Sequence, residues 1–441
     1  MTVSSMLRHP HDREILRLAV PAFGALVAEP LFLLADSAIV GHLGTAPLGG
    51  LGVAGQVLST LVNICVFLAY GTTAAVARLI GAGDQREAIR QGIEGIWLAI
   101  AIGLVLIVAG WPLTPWIIDA FGASAAVAPQ AETYLRISLF GIPGMLVVLA
   151  GTGVLRGLQD TRTPLRVAVG MFTVNLVLNA LFVLTFGWGI AGSAWGTVLA
   201  QTAGGAVYVA TVLRGARDHG APLRPELKGL QAAATASVHL VIRTLNLRVV
   251  LIIATAIATR GDAEIAAFQV AFQVWTLLAF ALDAIAIAGQ AITGRYLGGS
   301  DAARARAATR RMLEWGVAGG VLFALIVLAV RPWLPVLFTD DPVVTRLLLS
   351  TLVLVAVLQP IAGVVFVLDG VLIGAGDMRY LALAGLLTTA AFLPAAWLAY
   401  ELDGGIVALW AAMGVWMTAR FAALGLRARG NAWLVTGAVR R

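Results

Sequence analysis

Two acids stand seven residues apart in the otherwise apolar stretch LRLAVPAFGALVAEPLFLLADSAIVGHLG (16–44): Glu29 and Asp36. On a helix, a spacing of seven puts both on one face, two turns apart. Two prolines, Pro21 and Pro30, lie in the same stretch. A carboxyl group shielded from water is a proton-exchange device, because its charged and neutral forms differ sharply in solvation cost. A proline removes one rung of the helical hydrogen-bond ladder and gives the helix a place to bend. Acids on a bendable helix are suited to turning protonation into a change of shape. A second polar pair, Asn175 and Asn179, is four residues apart and so shares a face of another apolar segment. Thr197 follows in the next one.

These groups are unusual because of where they sit. The chain has 441 residues, of which 60% are hydrophobic and 12% charged, and its mean hydropathy is +0.91. Soluble domains carry about 25% charged residues, so this composition requires lipid as the solvent. A membrane helix needs about 20 apolar residues. On that basis the sequence predicts twelve spans, at 15–40, 51–77, 92–118, 131–155, 164–186, 190–213, 236–259, 264–293, 311–336, 344–372, 380–400 and 404–427. The fold class is an all-α polytopic membrane protein. The polar start, MTVSSMLRHPHDREILR, lacks the pattern of a cleavable signal, so the first span is expected to remain in the mature chain. Cys65 is the only cysteine, which excludes an internal disulfide.

The net charge of +7 comes from loops. Of the 30 lysines and arginines, 24 fall on the side that carries both termini. Arg136, Arg260, Arg331 and Arg346 lie toward the other side, and Arg243 and Arg248 lie within the seventh span. This bias predicts that both termini are cytoplasmic. It also accounts for the basic charge without a nucleic-acid partner. Trp97, Trp111, Trp188 and Trp333 fit interface anchors.

A shift of 217 residues superposes three stretches without gaps. GTAPLGGLGVAGQV (44–57) meets GDAEIAAFQVAFQV (261–274) with 6 identities in 14. RLIGAGD (78–84) meets RYLGGSD (295–301) with 3 in 7, and GVLRGLQDTR (153–162) meets GVLIGAGDMR (370–379) with 6 in 10. One offset for three windows marks a duplicated six-helix unit. The predicted organisation is an N-terminal lobe at 1–213, a cytoplasmic linker at 214–229 and a C-terminal lobe at 230–441. Two such halves around a central cavity are a transporter architecture. The same offset separates scaffold from chemistry. Glu29 maps to Asn246, Asp36 to Ile253, Asn175 to Phe392, Asn179 to Ala396 and Thr197 to Gly414. Polar groups concentrate in the first half, with Asp36 the strongest candidate. Asp283 and Asp369 are further intramembrane acids. Arg243 is placed to snorkel toward the cytoplasm, while Arg248 needs an acidic partner.

LAVPAFGALVAEPLFLLADSAIVGHLG and VLDGVLIGAGDMRYLA (367–382), with ARLIGAGD and GVLRGLQDTRTPL, resemble the multidrug and toxic compound extrusion (MATE) family, in its DinF branch. The likeness runs along essentially the whole chain. It implies an exporter of small amphipathic, often cationic compounds in exchange for H+ or Na+, in the cytoplasmic membrane of a bacterium. It implies a coupling carboxylate at Asp36, assisted by Asn175, Asn179, Thr197 and Glu29, and a bending proline at Pro21. Asn179 stands where the family often has Asp, which weakens a Na+ site built from Asp36, Asn175, Asn179 and Thr197 and favours H+. No cofactor is expected, and the chain is expected to act as a monomer in the bilayer. A lipid-linked saccharide flippase of the same superfamily is the alternative, though its cavity is expected to be richer in cations. The sequence lacks G-x-S-x-G, H-E-x-x-H and Walker A patterns and any sizeable domain outside the membrane, so an enzyme is not expected.

Overall fold

The computed structural model describes residues 10–439, apart from six side chains between 227 and 236. Arg8, Arg440 and Arg441 of the basic count lie outside the described residues, as does the Lys228 side chain. The described chain is helical: α1 (Pro10–Gly41), α2 (Thr45–Ile64), α3 (Phe67–Gly81), α4 (Gln85–Ala120), α5 (Ala128–Leu139), α6 (Ile142–Gly157), α7 (Arg162–Asn179), α8 (Gly189–His219), α9 (Leu227–Ala258), α10 (Asp262–Gly298), α11 (Ala302–Val330), α12 (Pro342–Gly374), α13 (Met378–Glu401) and α14 (Gly405–Arg429). A π-helical turn (Ala180–Thr185) extends α7, and a 3-10 turn (Pro335–Leu337) follows α11. Among the described residues, eleven helical stretches are long and apolar enough to cross a membrane, and the bent pair α5–α6 makes a twelfth. Large apolar side chains such as Leu104, Val105, Val108 and Trp116 of α4 are exposed. An outer surface of this kind is stable in hydrocarbon, not in water.

The helices run past the predicted spans at several ends because loop polar residues cap them. Asp84 accepts a hydrogen bond from the Glu87 backbone N–H (3.0 Å) at the start of α4. Asp301, its equivalent across the repeat, accepts one from Arg304 N–H (2.8 Å) at the start of α11. The predicted fourth span is broken: α5 and α6 meet at 53°. The break falls at Phe140–Gly141, just ahead of Pro143, which lacks the N–H needed to continue the ladder. The predicted linker is also shorter than 214–229, since α8 continues to His219 and α9 begins at Leu227.

The chain divides into two units, Gly24–Ser237 and Met1–Phe23 with Val238–Arg441. The division falls inside α1, unlike the lobe limits expected from the repeat. Its cause is a set of charged contacts. Asp12 accepts from Arg311 (Nε 2.6 Å, Nη2 2.9 Å) and from Trp315 Nε1 (2.9 Å). Glu14 accepts from Arg295 Nη2 (2.5 Å) and the Tyr296 hydroxyl (2.9 Å). These pairs fix the start of α1 to α10 and α11.

Each unit has the same seam. In one, Gly153 and Gly157 of α6 press on the backbone of Ala69 and Thr73 of α3. In the other, Gly370 and Gly374 of α12 press on Ala286 and Gln290 of α10. Ala69 and Ala286 are 217 residues apart, as are Thr73 and Gln290. Small residues let two backbones meet where lipid provides no hydrophobic drive for association. A side chain at Gly157 would meet Val76 Cβ at 2.6 Å and Thr73 O at 3.0 Å. Gly157→Val is expected to cost about 2–3 kcal/mol through overpacking and to lower the folded, monodisperse yield in detergent. Gly52→Ala, with nothing within 4 Å of the added carbon, is expected to leave that yield unchanged. Equal yields for the two would contradict the close seam.

Candidate functional site

The Gly24–Ser237 unit gathers four of the predicted residues into one buried network. Asp36 of α1 is 2% exposed. Its Oδ1 accepts from Asn179 Nδ2 of α7 (2.5 Å) and from Ser193 Oγ of α8 (2.7 Å). Its Oδ2 accepts from the Tyr134 hydroxyl of α5 (3.3 Å). Asn179 Nδ2 also donates to Asn175 Oδ1 (3.1 Å), and Asn175 Nδ2 donates to Thr197 Oγ1 (3.0 Å). The chain of bonds thus links α1, α5, α7 and α8.

Local sequence explains how the groups meet. Asn175 and Asn179 lie one turn apart on α7, and Ser193 and Thr197 one turn apart on α8. Gly196 lies between the latter two, and Asn179 Oδ1 occupies the place a Cβ would take there. Gly192, one turn earlier, lies against the backbone of Phe182 in the π-helical turn. Two glycines four apart therefore let α8 approach the end of α7. The π turn starts directly after Asn179, and such widened turns often occur at functional sites. Tyr134 belongs to an apolar core with Val40, Leu51, Ala54, Val57, Ile118, Leu135, Ile190 and Ala194. That core keeps the Tyr134 side of the carboxylate in an apolar setting.

The electrostatics of the site are lopsided. The three hydrogen-bond partners of Asp36 are neutral, and no cation pairs with it among the described residues. Asn179 Oδ1 is buried without a donor. An ionised carboxylate accepting several hydrogen bonds is tolerable in such a place, and so is a protonated one if a neighbour turns to accept. The arrangement can exchange a proton, or hold a small cation among several oxygens.

Glu29 lies on the exposed surface of α1, outside this network. Pro21 lies in the part of α1 that belongs to the other unit. The helix continues through Pro21 and Pro30 without a break. Ser193 and Tyr134 were not singled out from the sequence. The offset of 217 would have found Ser193, which it pairs with Trp410, but not Tyr134, which it pairs with another hydroxyl-bearing residue, Thr351. Two expectations for arginine change. Arg243 does not snorkel: it is buried and pairs with Asp369. Arg248 has no ion pair among the described residues.

Comparison with known proteins agrees with this architecture. A family model described as MatE matches residues 21–181 and 240–398, one match in each half. The chain is 30% identical to the chloroplastic Protein DETOXIFICATION 44 of Arabidopsis thaliana, covering 84% of this chain and 73% of that one. It is 28% identical to the DNA damage-inducible protein F of Escherichia coli, covering 93% and 90%. Among solved structures, a MOP superfamily transporter from Pyrococcus furiosus superposes with a TM-score of 0.86 at 21% identity, covering 97% of each chain. A MATE transporter from Vibrio cholerae does so with a TM-score of 0.87 at 22% identity, covering 98% and 99%. With both halves matched, the chain belongs to the MATE family of multi-pass membrane transporters.

Proposed function

We propose that this transporter is a proton-coupled exporter of amphipathic cations, with Asp36 as the residue that carries the proton. The observation behind this reading is a single buried carboxylate bound by three neutral donors and no cation. When Asp36 is ionised, Asn179, Ser193 and Tyr134 all point donors at it. Protonation adds an O–H that needs an acceptor, so at least one of the three must turn. The hydroxyls of Ser193 and Tyr134 can rotate, and the Asn179 amide can present its unsatisfied Oδ1. Because these groups sit on α5, α7 and α8, loading one proton on α1 alters contacts to three other helices. Such a change has the form alternating access requires, in which an ion and a substrate bias the same two-state element. A negative Asp36 attracts cationic cargo and a neutral one releases it, which makes the exchange obligatory in sign. Glu29, Asn175 and Thr197 act as auxiliary polar groups in this scheme, and Pro21 as the hinge of α1.

Membership of a transporter family supports the absence of an enzymatic role, the basic loops support cytoplasmic termini, and the likeness to the Escherichia coli protein supports a bacterial inner membrane. A second reading, exchange against Na+, has one observation in its favour: Asn179 Oδ1 is a buried acceptor without a donor. Against it, Asp36 is the one carboxylate in the network, and Na+ prefers several oxygens with net negative charge. A lipid-linked saccharide exporter remains the alternative cargo class, which a flippase assay addresses.

Three outcomes test the proposal. In everted vesicles, efflux of a cationic dye is expected to collapse with an uncoupler and to persist when Na+ is omitted; efflux that requires Na+ and ignores the uncoupler would overturn proton coupling. Asp36→Asn is expected to abolish efflux while folded yield is retained; wild-type transport in that variant would remove Asp36 from the mechanism. Ser193→Ala removes one donor from the charged form of the carboxyl. Its pH–efflux profile is therefore expected to move toward higher pH, by about one unit. A profile that stays in place would mean that Ser193 does not serve the coupling group.

A further inference from the structure

The unit that includes Val238–Arg441 holds a charge cluster with no counterpart in the Asp36 network. Arg243 of α9 donates to Asp369 of α12 from Nε (3.2 Å) and from Nη2. Arg420 of α14 brings its Nη2 to 3.8 Å from the same carboxylate, on Oδ2. One carboxylate therefore faces two guanidinium groups, and all three side chains are about nine-tenths buried, at 10–12% exposure. Arg stays protonated in proteins, so the cluster carries an excess positive charge. Arg420 is the less satisfied of the two cations. Beyond its distant approach to Asp369 it has a 3.9 Å contact to Met417 Sδ and lies 5.1 Å from the centre of the Trp416 ring. A buried charge left without full compensation is costly.

A cavity of about 20 Å3 adjoins these groups, lined by Arg243, Arg420, Asp369, Asn246 and Thr389 among others. That is enough for a single particle of about the size of water. Two further hydrogen-bond donors in its lining are unused. Asn246 is 9% exposed, and its Nδ2 donates to nothing. Thr389 Oγ1 is likewise buried without a partner. Gly385, which also lines the cavity, lets the Asn246 amide come within 2.9 Å of where its Cβ would stand. The lining thus combines an under-neutralised guanidinium, an amide N–H and a hydroxyl around a monatomic space. It is the donor set for an anion, not for a metal ion.

We propose that this cavity binds a small monovalent anion of chloride size, held by Arg420, Asn246 and Thr389, which completes the charge balance of the Arg243–Asp369–Arg420 cluster. The bound ion ties α9, α12, α13 and α14 together, so its occupancy stabilises this unit.

The full-length protein in detergent provides the test. Its thermal unfolding midpoint is measured against chloride, with gluconate holding ionic strength constant. Chloride and bromide are expected to raise the midpoint saturably, by about 2 °C or more, and gluconate is not. Arg420→Gln is expected to lose the response. Asn246→Ala, which leaves the charges in place, is expected to need roughly tenfold more chloride for half the effect. A midpoint that ignores chloride, or that follows gluconate equally, overturns the site, as does an unchanged response in the variants. Should Arg420→Gln fail to fold, a wild-type crystal soaked in bromide still decides. An anomalous peak within hydrogen-bonding reach of Arg420 and Asn246 is expected, and none at saturating bromide overturns the proposal.

Discussion

A carboxyl group in a membrane helix without a cationic partner is the constraint around which one unit of this protein is organised. Inserting an ionised acid into the middle of a bilayer costs at least about 2.5–3.5 kcal/mol. Asp36 offsets that cost with three neutral donors drawn from three other helices. A salt bridge would have held the group permanently charged. Neutral donors leave either protonation state accessible, at the expense of rearranging their hydrogens. The glycines at 192 and 196 follow from the same requirement, since they bring α8 close enough to α7 for Ser193 and Asn179 to share one oxygen.

The duplication supplies a second view of the same constraint. Both units use the same seam of paired glycines and the same aspartate caps at Asp84 and Asp301. Their interiors diverge. Where one carries Asn175, Asn179 and Ser193, the other carries Phe392, Ala396 and Trp410, all nearly fully buried. Its buried charge lies elsewhere, at Arg243, Asp369 and Arg420, and there opposite charges do meet. A fixed ion pair and a lone carboxyl are opposite solutions to burying polarity, and a single chain holds both.

Much of this was legible in the sequence. Hydropathy located the spans because lipid tolerates few charges, and a fixed offset exposed the repeat because helix packing was duplicated with it. Asp36, Asn175, Asn179 and Thr197 were readable as a group because their equivalents are apolar or glycine. Other features depend on contacts that no spacing encodes. The pairing of Asp12 and Glu14 with Arg311, Trp315, Arg295 and Tyr296, which splits α1 between units, joins residues 281 to 303 positions apart. The break between α5 and α6 falls just ahead of Pro143, which lies between Gly141 and Gly144, while the helix continues through the prolines of α1, so a proline by itself does not mark a break. Arg243 looked like a snorkelling side chain because its partner, Asp369, is 126 residues away.

The central claim is that Asp36 changes protonation state and that its neighbours move with it. Infrared difference spectroscopy of the reconstituted protein during a pH titration addresses both halves, with Asp36→Asn assigning the bands. The account predicts that a carboxylate band lost in that variant converts to a protonated carbonyl band within the physiological pH range, together with a change in the tyrosine signal removed by Tyr134→Phe. A carboxyl that keeps one protonation state throughout that range, with the tyrosine signal unmoved, would contradict it.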